Sequence, residues 1–219
     1  MRTAASSESP DAVVDTVVLR YFLLVDEVDL LVDLLGSPLG TPRIVYDDED
    51  VAGAQHDSRS EMARSIEYQR RASTDPARDV GTREEAARNA ERLAQATDLH
   101  VSGGLVILDL TEAELELVGQ LTSPIERLRF GLRFPLDAGE AACLAIAVRR
   151  GLVLVTDDAD ALRALDNHAP QHPYQRIRRL LRLAVQRGLR TEDRANGIHR
   201  EMRRLGFWDH EDPFPASGD

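Results

Sequence analysis

The sequence predicts an α/β fold in which helices cover both faces of a short parallel sheet. Short runs rich in Val, Leu and Ile alternate along the chain with segments of helical periodicity. This alternation is typical of a parallel sheet whose strands are joined by crossover helices. The segment 136–165 (LDAGEAACLAIAVRRGLVLVTDDADALRAL) shows the pattern most clearly, as a helix, a turn, a buried strand and the start of a second helix.

Each element of this segment has a local signal. Asp137 precedes an apolar helical pattern, and its carboxylate can accept a hydrogen bond from the free N–H of Glu140, three positions on. Gly151 suits the C-cap of that helix, where a left-handed backbone is common. Residues 152–155 (LVLV) form the continuous apolar run expected of a parallel strand buried on both faces. Polar and acidic residues follow where this strand must end.

Other parts of the chain extend the same architecture. Three further short runs predict strands: 12–15 (AVVD), 43–46 (RIVY) and 105–110 (LVILDL). The stretch 36–42 (GSPLGTP) has the composition of a turn. The polar stretch 52–104 predicts an inserted helical hairpin, with helices at about 58–72 and 82–97. Near the end of the chain, two amphipathic patterns predict helices: 176–187 and 191–205.

We therefore expect a single domain over 11–208 that carries the 52–104 insertion. A disordered N-terminus (1–10) precedes this domain, and a flexible tail (209–219) follows it. The only cysteine, Cys143, excludes disulfides and cysteine-rich zinc sites within the chain. No apolar stretch has the length of a membrane span or of a signal-peptide core, so we expect a cytoplasmic protein with no membrane association.

The charge is distributed unevenly. The net charge is −11, which argues against nucleic-acid binding by bulk attraction. All 27 basic residues are Arg, and residues 163–204 hold eleven of them against four acidic residues. This asymmetry allows a nucleic-acid-binding face beside an acidic one, although surface Arg without a binding role explains it equally well. The candidate RNA-binding residues are Arg176, Arg178, Arg179 and Arg182.

Acidic residues follow the predicted strands or begin the helices beside them. The set comprises Asp15, the four acids of 47–50, Glu140, Asp157, Asp158 and Asp160. Carboxylates that converge on one cleft repel one another, unless a hard divalent cation such as Mg²⁺ or Mn²⁺ binds between them. Such an ion can promote phosphodiester hydrolysis. Because Gly-rich phosphate loops and metal-spaced His pairs are missing from the sequence, carboxylates are the predicted ligands.

Four stretches of the sequence resemble the PIN-domain nucleases. These are VVDTVVL, TPRIVYDD, LDAGEAACLAIAV and LVLVTDD, and the last two are the most specific. The ending RLLRLAVQRGL…HREMRRLGFW is similar to the PIN subgroup close to VapC-type toxins. The resemblance covers roughly 11–50 and 105–208. It implies a PIN-like three-layer α/β/α fold and a metal-dependent endoribonuclease with three or four acids at one end of a parallel sheet.

The resemblance also implies roles for individual residues. The implied catalytic acids are Asp15, Asp48, Glu140 and Asp158; counting from Pro42 leaves open whether Asp48 or Glu49 is the second acid. The implied metal ligands are Asp15, Glu140, Asp158 and Asp157, holding Mg²⁺ or Mn²⁺. The residues expected to support these carboxylates are Thr16, Thr156, Glu49 and Asp160.

Structural roles compete with the catalytic ones for several of these acids. Glu140 can complete a capping box with Asp137, and Asp157 or Asp158 can cap the helix that follows. The alternative functions are a PIN-like interaction module that no longer catalyses and a DNA-directed nuclease on the same fold. The subgroup implies a toxin that cleaves an RNA substrate and is neutralised by a small antitoxin protein. The insertion and the 176–187 helix are the candidate surfaces for this partner or for a homodimer.

Overall fold

The computed structural model describes residues 9–36, 38–46 and 61–215, and within them five strands form one parallel sheet. The strands are β1 (Ala12–Val14), β2 (Leu39–Pro42), β3 (Leu105–Leu108), β4 (Val153–Val155) and β5 (Tyr174–Gln175). Their order in the sheet is β3-β2-β1-β4-β5. The chain starts at the centre, builds one edge, and then returns to the other side of β1. The strand order therefore reverses between β1 and β4, where ligands bind in open α/β sheets.

Helices follow every strand. They are α1 (Thr16–Leu24), α2 (Val28–Leu35), α3 (Arg43–Tyr46), α4 (Glu61–Thr74), α5 (Val80–Val101), α6 (Glu112–Leu121), a 3₁₀ turn (Glu126–Phe130), α7 (Ala138–Arg150), α8 (Ala159–His168), α9 (Ile177–Gln186) and α10 (Glu192–Arg204). The two helices predicted within 52–104 are present as α4 and α5, which pack against each other. None of the helices in the described ranges is long and apolar enough to cross a membrane.

Two apolar layers lie on opposite faces of the sheet. Along β1, Ala12 and Val14 belong to one layer and Val13 to the other, because successive side chains of a strand point to opposite faces. The first layer joins the sheet to α1, α2, α9 and α10, and includes Met62 and Leu93 from the hairpin. The second layer joins it to α6, α7 and α8. The α/β class with helices on both faces is therefore as the sequence predicts.

The helix-capping signals of the sequence are also confirmed. Thr111 and Glu114 form a capping box at the start of α6. Asp137 and Glu140 form another at the start of α7, and Gly151 ends that helix in the left-handed conformation. These caps fix where α7 begins, so they fix the position of Glu140.

The stretch 38–46 differs from its prediction. Residues 39–42, which have a turn composition, form the buried strand β2, whereas 43–46, predicted as a strand, form the single helical turn α3. The reason is close packing: a Cβ added at Gly40 would lie 2.8 Å from Cδ1 of Leu108 and 3.0 Å from the carbonyl oxygen of Ala12. The glycine that suggests a turn is therefore the residue that lets β2 enter the sheet. The two-residue strand β5 is not predicted at all.

The described part of the predicted tail makes specific contacts with α10. Asn196 of α10 exchanges two hydrogen bonds with the backbone of Phe214, at 2.8 Å and 3.0 Å. Asp212 pairs with Arg203 at 2.7 Å. Residues 209–214 therefore lie against α9 and α10.

Gly40→Ala should lower the free energy of unfolding by about 1–3 kcal/mol, because the added methyl group has no room between β1 and β3. Urea unfolding measures this change. Gly119→Ala on α6 is the matched control. A Cβ there meets nothing within 4 Å, so alanine should raise the stability by about 0.5–1 kcal/mol. Equal effects of the two substitutions would contradict the packing argument.

Candidate active site

The candidate site lies at the carboxyl ends of β1 and β4, where the strand order reverses. Val14 pairs with Val155 in register, and the backbone N–H of Asp15 donates to the carbonyl oxygen of Val155 at 3.0 Å. Asp15 and Thr156 therefore leave the sheet side by side. Two sequence-predicted site residues that are 141 positions apart are brought together by this single strand pairing.

Asp15 is buried at the centre of the site. The hydroxyl of Thr156 donates to Oδ2 of Asp15 at 2.9 Å, which is the supporting role predicted for this threonine. Burial raises the pKa of Asp15 to about 7, and the nearby carboxylates of Glu61 and Asp158 add to this effect. The buried carboxylate therefore lacks enough positive charge around it to stabilise its ionised form.

Glu140 reaches the same site from the first turn of α7. Its Oε2 accepts a hydrogen bond from the backbone N–H of Asp137 at 3.2 Å, so the predicted capping role is real. Burial raises the pKa of Glu140 to about 8, with further contributions from the negative charges of Asp158 and Asp15. A capping box on an exposed helix would leave the carboxylate in water, and it would not bring two other acids close to it. The structural role and the site role are therefore compatible.

Asp158 is the N-cap of α8. Its Oδ1 accepts a hydrogen bond from the backbone N–H of Ala161 at 2.6 Å, and its own N–H donates to the Thr156 hydroxyl at 3.1 Å. Thr156 therefore connects Asp158 to Asp15. The carboxylate of Asp158 is close enough to raise the pKa values of both Asp15 and Glu140.

A further acid, Glu61, reaches the site from the inserted hairpin. It is the first residue of α4, and its Oε2 accepts a hydrogen bond from the Thr16 hydroxyl. Gly139 makes room for it, since a side-chain carbon at that position would overlap the Glu61 carboxylate. Sequence reasoning missed this residue because Glu61 follows no predicted strand. Only the packing of the hairpin against α1 and α7 brings it to the site.

The negative charges of the site also affect a neighbouring buried thiol, that of Cys143. Cys143 lies on α7 one turn after Glu140, with its Sγ 3.9 Å from the carbonyl oxygen of Val14. Burial raises the pKa of this thiol, and the charges of Asp15, Glu61 and Glu140 raise it further. Three acids from three separate elements therefore act on one buried atom.

These acids open into a cavity of about 560 Å³. The acidic residues that line the cavity are Asp15, Glu61, Asp137 and Glu140. The other lining residues come mainly from α1 and the hairpin: Thr16, Val17, Arg20, Leu24, Arg64, Ser65, Tyr68, Gln69 and Leu93, with Leu205. Its volume falls within the usual range of small-molecule and cofactor sites.

Several predicted site residues are not part of this group. Asp48 and Glu49 lie outside the described residues. Asp157 is fully buried, and its two oxygens accept hydrogen bonds from Nε of Arg176 at 3.1 Å and from the backbone N–H of Ile177 at 2.7 Å. Asp160 pairs with Arg163 of the same helix. Asp157 therefore connects β4 to the start of α9, and we leave it out of the proposed ligand set.

The four arginines predicted to bind RNA line a second cavity, of about 480 Å³. Arg176 pairs with Asp157, and Arg178 pairs with Glu211 and, at 3.4 Å, with Asp209. Arg182 donates to the carbonyl oxygen of Pro213 at 2.8 Å. Within the described part of the chain, only Arg179 of the four has no such partner. This surface therefore carries less free positive charge than the sequence indicates.

The donor chemistry of the site suits a hard divalent cation, because every acid in it offers carboxylate oxygens. The raised pKa values of Asp15 and Glu140 indicate that a positive charge between these groups would be favourable. Over the ranges 9–36, 38–46 and 61–215, however, no group of three or more His, Cys, Asp or Glu side chains is arranged to hold a metal ion. Binding an ion would therefore require the carboxylates to move closer together.

Asp15→Asn should raise the free energy of unfolding by about 3 kcal/mol at pH 8 in the absence of divalent metal. A raised pKa means that the folded state holds a proton which the unfolded state releases from about pH 4 upward. The loss of folding stability caused by the buried Asp15 carboxylate is therefore small below about pH 4 and grows until about pH 7. Asn keeps the acceptor for Thr156 and removes the charge.

Urea unfolding of wild type and Asp15→Asn between pH 4 and pH 8 measures this difference. Asp33→Asn, at an exposed position on α2, is the control and should change the stability by less than about 0.5 kcal/mol. A stability difference between wild type and Asp15→Asn that is independent of pH would contradict the prediction.

No family model, curated protein or solved structure matches this chain. The grounds for a function are therefore the geometry of the chain's own site and the sequence resemblance.

Proposed function

We propose that this chain is a metal-dependent endoribonuclease of PIN type and the toxin component of a toxin–antitoxin pair. One observation carries the proposal: Asp15, Glu61, Glu140 and Asp158 converge where the strand order of a parallel sheet reverses, with raised pKa values at two of them. Such a concentration of buried negative charge costs stability. A site that binds a cation and acts on a phosphodiester accounts for that cost.

Asp15, Glu140 and Asp158 would hold Mg²⁺ or Mn²⁺. Glu61 would supply the fourth carboxylate, the role that the sequence assigned to Asp48 or Glu49. When bound, the ion supplies Lewis acidity and charge neutralisation at the phosphate. The hydroxyl of Thr156 donates to Oδ2 of Asp15, and the hydroxyl of Thr16 donates to Oε2 of Glu61, so each threonine fixes the position of one carboxylate. The buried surroundings of Asp15 exclude bulk water from the carboxylate.

Arginines near the site would hold the RNA backbone. Of the predicted set, Arg179 is the one best able to do so, since the other three already contact acids or a backbone carbonyl of this chain. An antitoxin would dock on the hairpin rather than on α9. The apolar face of α9 is already buried in the core through Ile177, Leu180, Leu181 and Ala184.

A second candidate is a PIN-like interaction module without catalysis. It is favoured by the carboxylate positions, because no metal-holding group of three acids forms in the described ranges. It is also favoured by the capping roles of Glu140 and Asp158, because helix capping alone explains the presence of both acids without catalysis.

Asp158→Asn should reduce RNA cleavage by roughly 100-fold or more while leaving the fold intact. Asn caps helices as well as Asp does, so α8 keeps its N-cap and the site loses one charge. The measurement is cleavage of a mixed pool of structured and unstructured RNAs in the presence of Mn²⁺. Asp166→Asn, an exposed position on the same helix, is the matched control and should cleave like wild type. Equal cleavage by wild type and Asp158→Asn would exclude this site as the source of activity.

Mn²⁺ should raise the melting temperature of the wild type, because a ligand that binds only the folded state stabilises it by mass action. Glu140→Gln should lose this increase. Gln still completes the capping box with Asp137, so the start of α7 is retained. Differential scanning fluorimetry over a series of increasing Mn²⁺ concentrations makes the comparison. No metal-dependent increase in the wild type would favour the interaction module.

A further inference from the structure

The cavity that contains the acids is also lined by two arginines and an exposed tyrosine. Arg20 comes from α1, and Arg64 and Tyr68 come from α4 of the inserted hairpin. These three side chains play no part in holding the acids. A role for them in substrate binding rests on the proposed nuclease function.

The two arginines have no ion-pair partners within the described part of the chain, although four acids line the same cavity. Arg20 lies over the ring of Tyr21, at 4.9 Å from its centroid, and its Nε is buried without a hydrogen-bond partner. A buried donor without an acceptor is rare in proteins. Arg64 is exposed and lies one turn after Glu61 on α4. Two guanidinium groups without ion-pair partners in the described chain therefore line the same cavity as the acids.

A planar guanidinium fits a phosphate group well, because its N–H donors match two phosphate oxygens at once. The acids repel phosphate unless a cation lies between them, whereas the two arginines attract phosphate directly. The arginines can therefore bind a phosphate of the substrate without a cation.

Tyr68 lies one helical turn after Arg64, so the two side chains share a face of α4. Its side chain is 60% exposed although it lines the cavity. An exposed aromatic ring beside phosphate-binding groups is a stacking surface for an unpaired base.

We propose that Arg20, Arg64 and Tyr68 form a subsite for one nucleotide next to the reacting bond. The two guanidinium groups bind its phosphate, and the Tyr68 ring stacks on its base. The inserted hairpin thus contributes substrate binding as well as the acid Glu61. Such a subsite selects an unpaired nucleotide, because a base inside a duplex cannot stack on a side chain.

Binding is measured separately from cleavage, in the Asp158→Asn background. The probe is a fluorescein-labelled single-stranded RNA of mixed sequence, about eight nucleotides long (within the site size of single-strand-binding folds), followed by anisotropy. Arg64→Ala and Tyr68→Leu should each weaken binding by about 10-fold, and Tyr68→Phe should stay within about twofold of the parent because it keeps the ring. Arg70→Ala, an exposed arginine on the same helix that does not line the cavity, is the matched control. All four changes lie at exposed positions, so the fold is retained.

Binding that falls equally in Arg70→Ala and Arg64→Ala would show general charge attraction and overturn the subsite. Equal binding by Tyr68→Phe and Tyr68→Leu would overturn the stacking role. In proteins with Asp158 intact, Arg64→Ala and Tyr68→Leu should raise KM for cleavage by about 10-fold with kcat within about threefold. Cleavage with unchanged KM would overturn the subsite and leave the nuclease standing. If the variants bind RNA with the predicted differences in affinity but no protein cleaves it, the nuclease proposal is rejected and the subsite is retained.

Discussion

The candidate site depends first on the parallel pairing of β1 with β4. Both strands have three residues, and Val14 lies beside Val155 at their carboxyl ends. This register sets Asp15 next to Thr156 and brings Asp158 within electrostatic range of Asp15. A slip of one residue would turn these side chains to opposite faces of the sheet, because strand side chains alternate. The two apolar layers prevent such a slip, since it would also move Val13 and Val14 out of the layers in which they are buried.

The site combines structural hydrogen bonds with unfavourable electrostatics. Glu140 and Asp158 each cap a helix, and their caps fix the directions from which the carboxylates approach Asp15. The charges are nevertheless brought together in a buried place, and the pKa values of Asp15 and Glu140 rise in consequence. Elsewhere in the described chain, buried acids have been given cationic partners: Glu114 pairs with Arg150, and Glu27 with Arg190 and Arg194. The contrast separates carboxylates that stabilise the fold through ion pairs from those of the candidate site, which have no cationic partner among the described residues.

The inserted hairpin contributes both acidic and basic residues to this site. It adds Glu61 to the acids and lines the same cavity with Arg64 and Tyr68. The contacts of α4 and α5 with α1 keep the hairpin over the carboxyl end of β1. The sequence indicated a polar helical insertion, but its polar composition alone gave no reason to connect it with the acids. By contrast, Arg176, Arg178 and Arg182, which the charge pattern favoured for RNA binding, contact acids or a backbone carbonyl of the chain itself.

The α/β class, the capped starts of α6 and α7, the hairpin, and three of the four acids that meet in the site could be predicted from the sequence. The elements follow from local rules, namely periodicity and capping patterns. The acids follow strand ends or begin helices, and the resemblance to the PIN-domain nucleases singled out Asp15, Glu140 and Asp158 among them. The remaining features come from tertiary packing. A glycine-containing stretch became β2 because Gly40 allows close approach of Leu108 and Ala12. Asp157 turned toward Arg176 and Ile177, and Glu61 reached Thr16 across 45 residues. Each of these outcomes depends on packing between elements distant in the chain, which no local pattern of residues records.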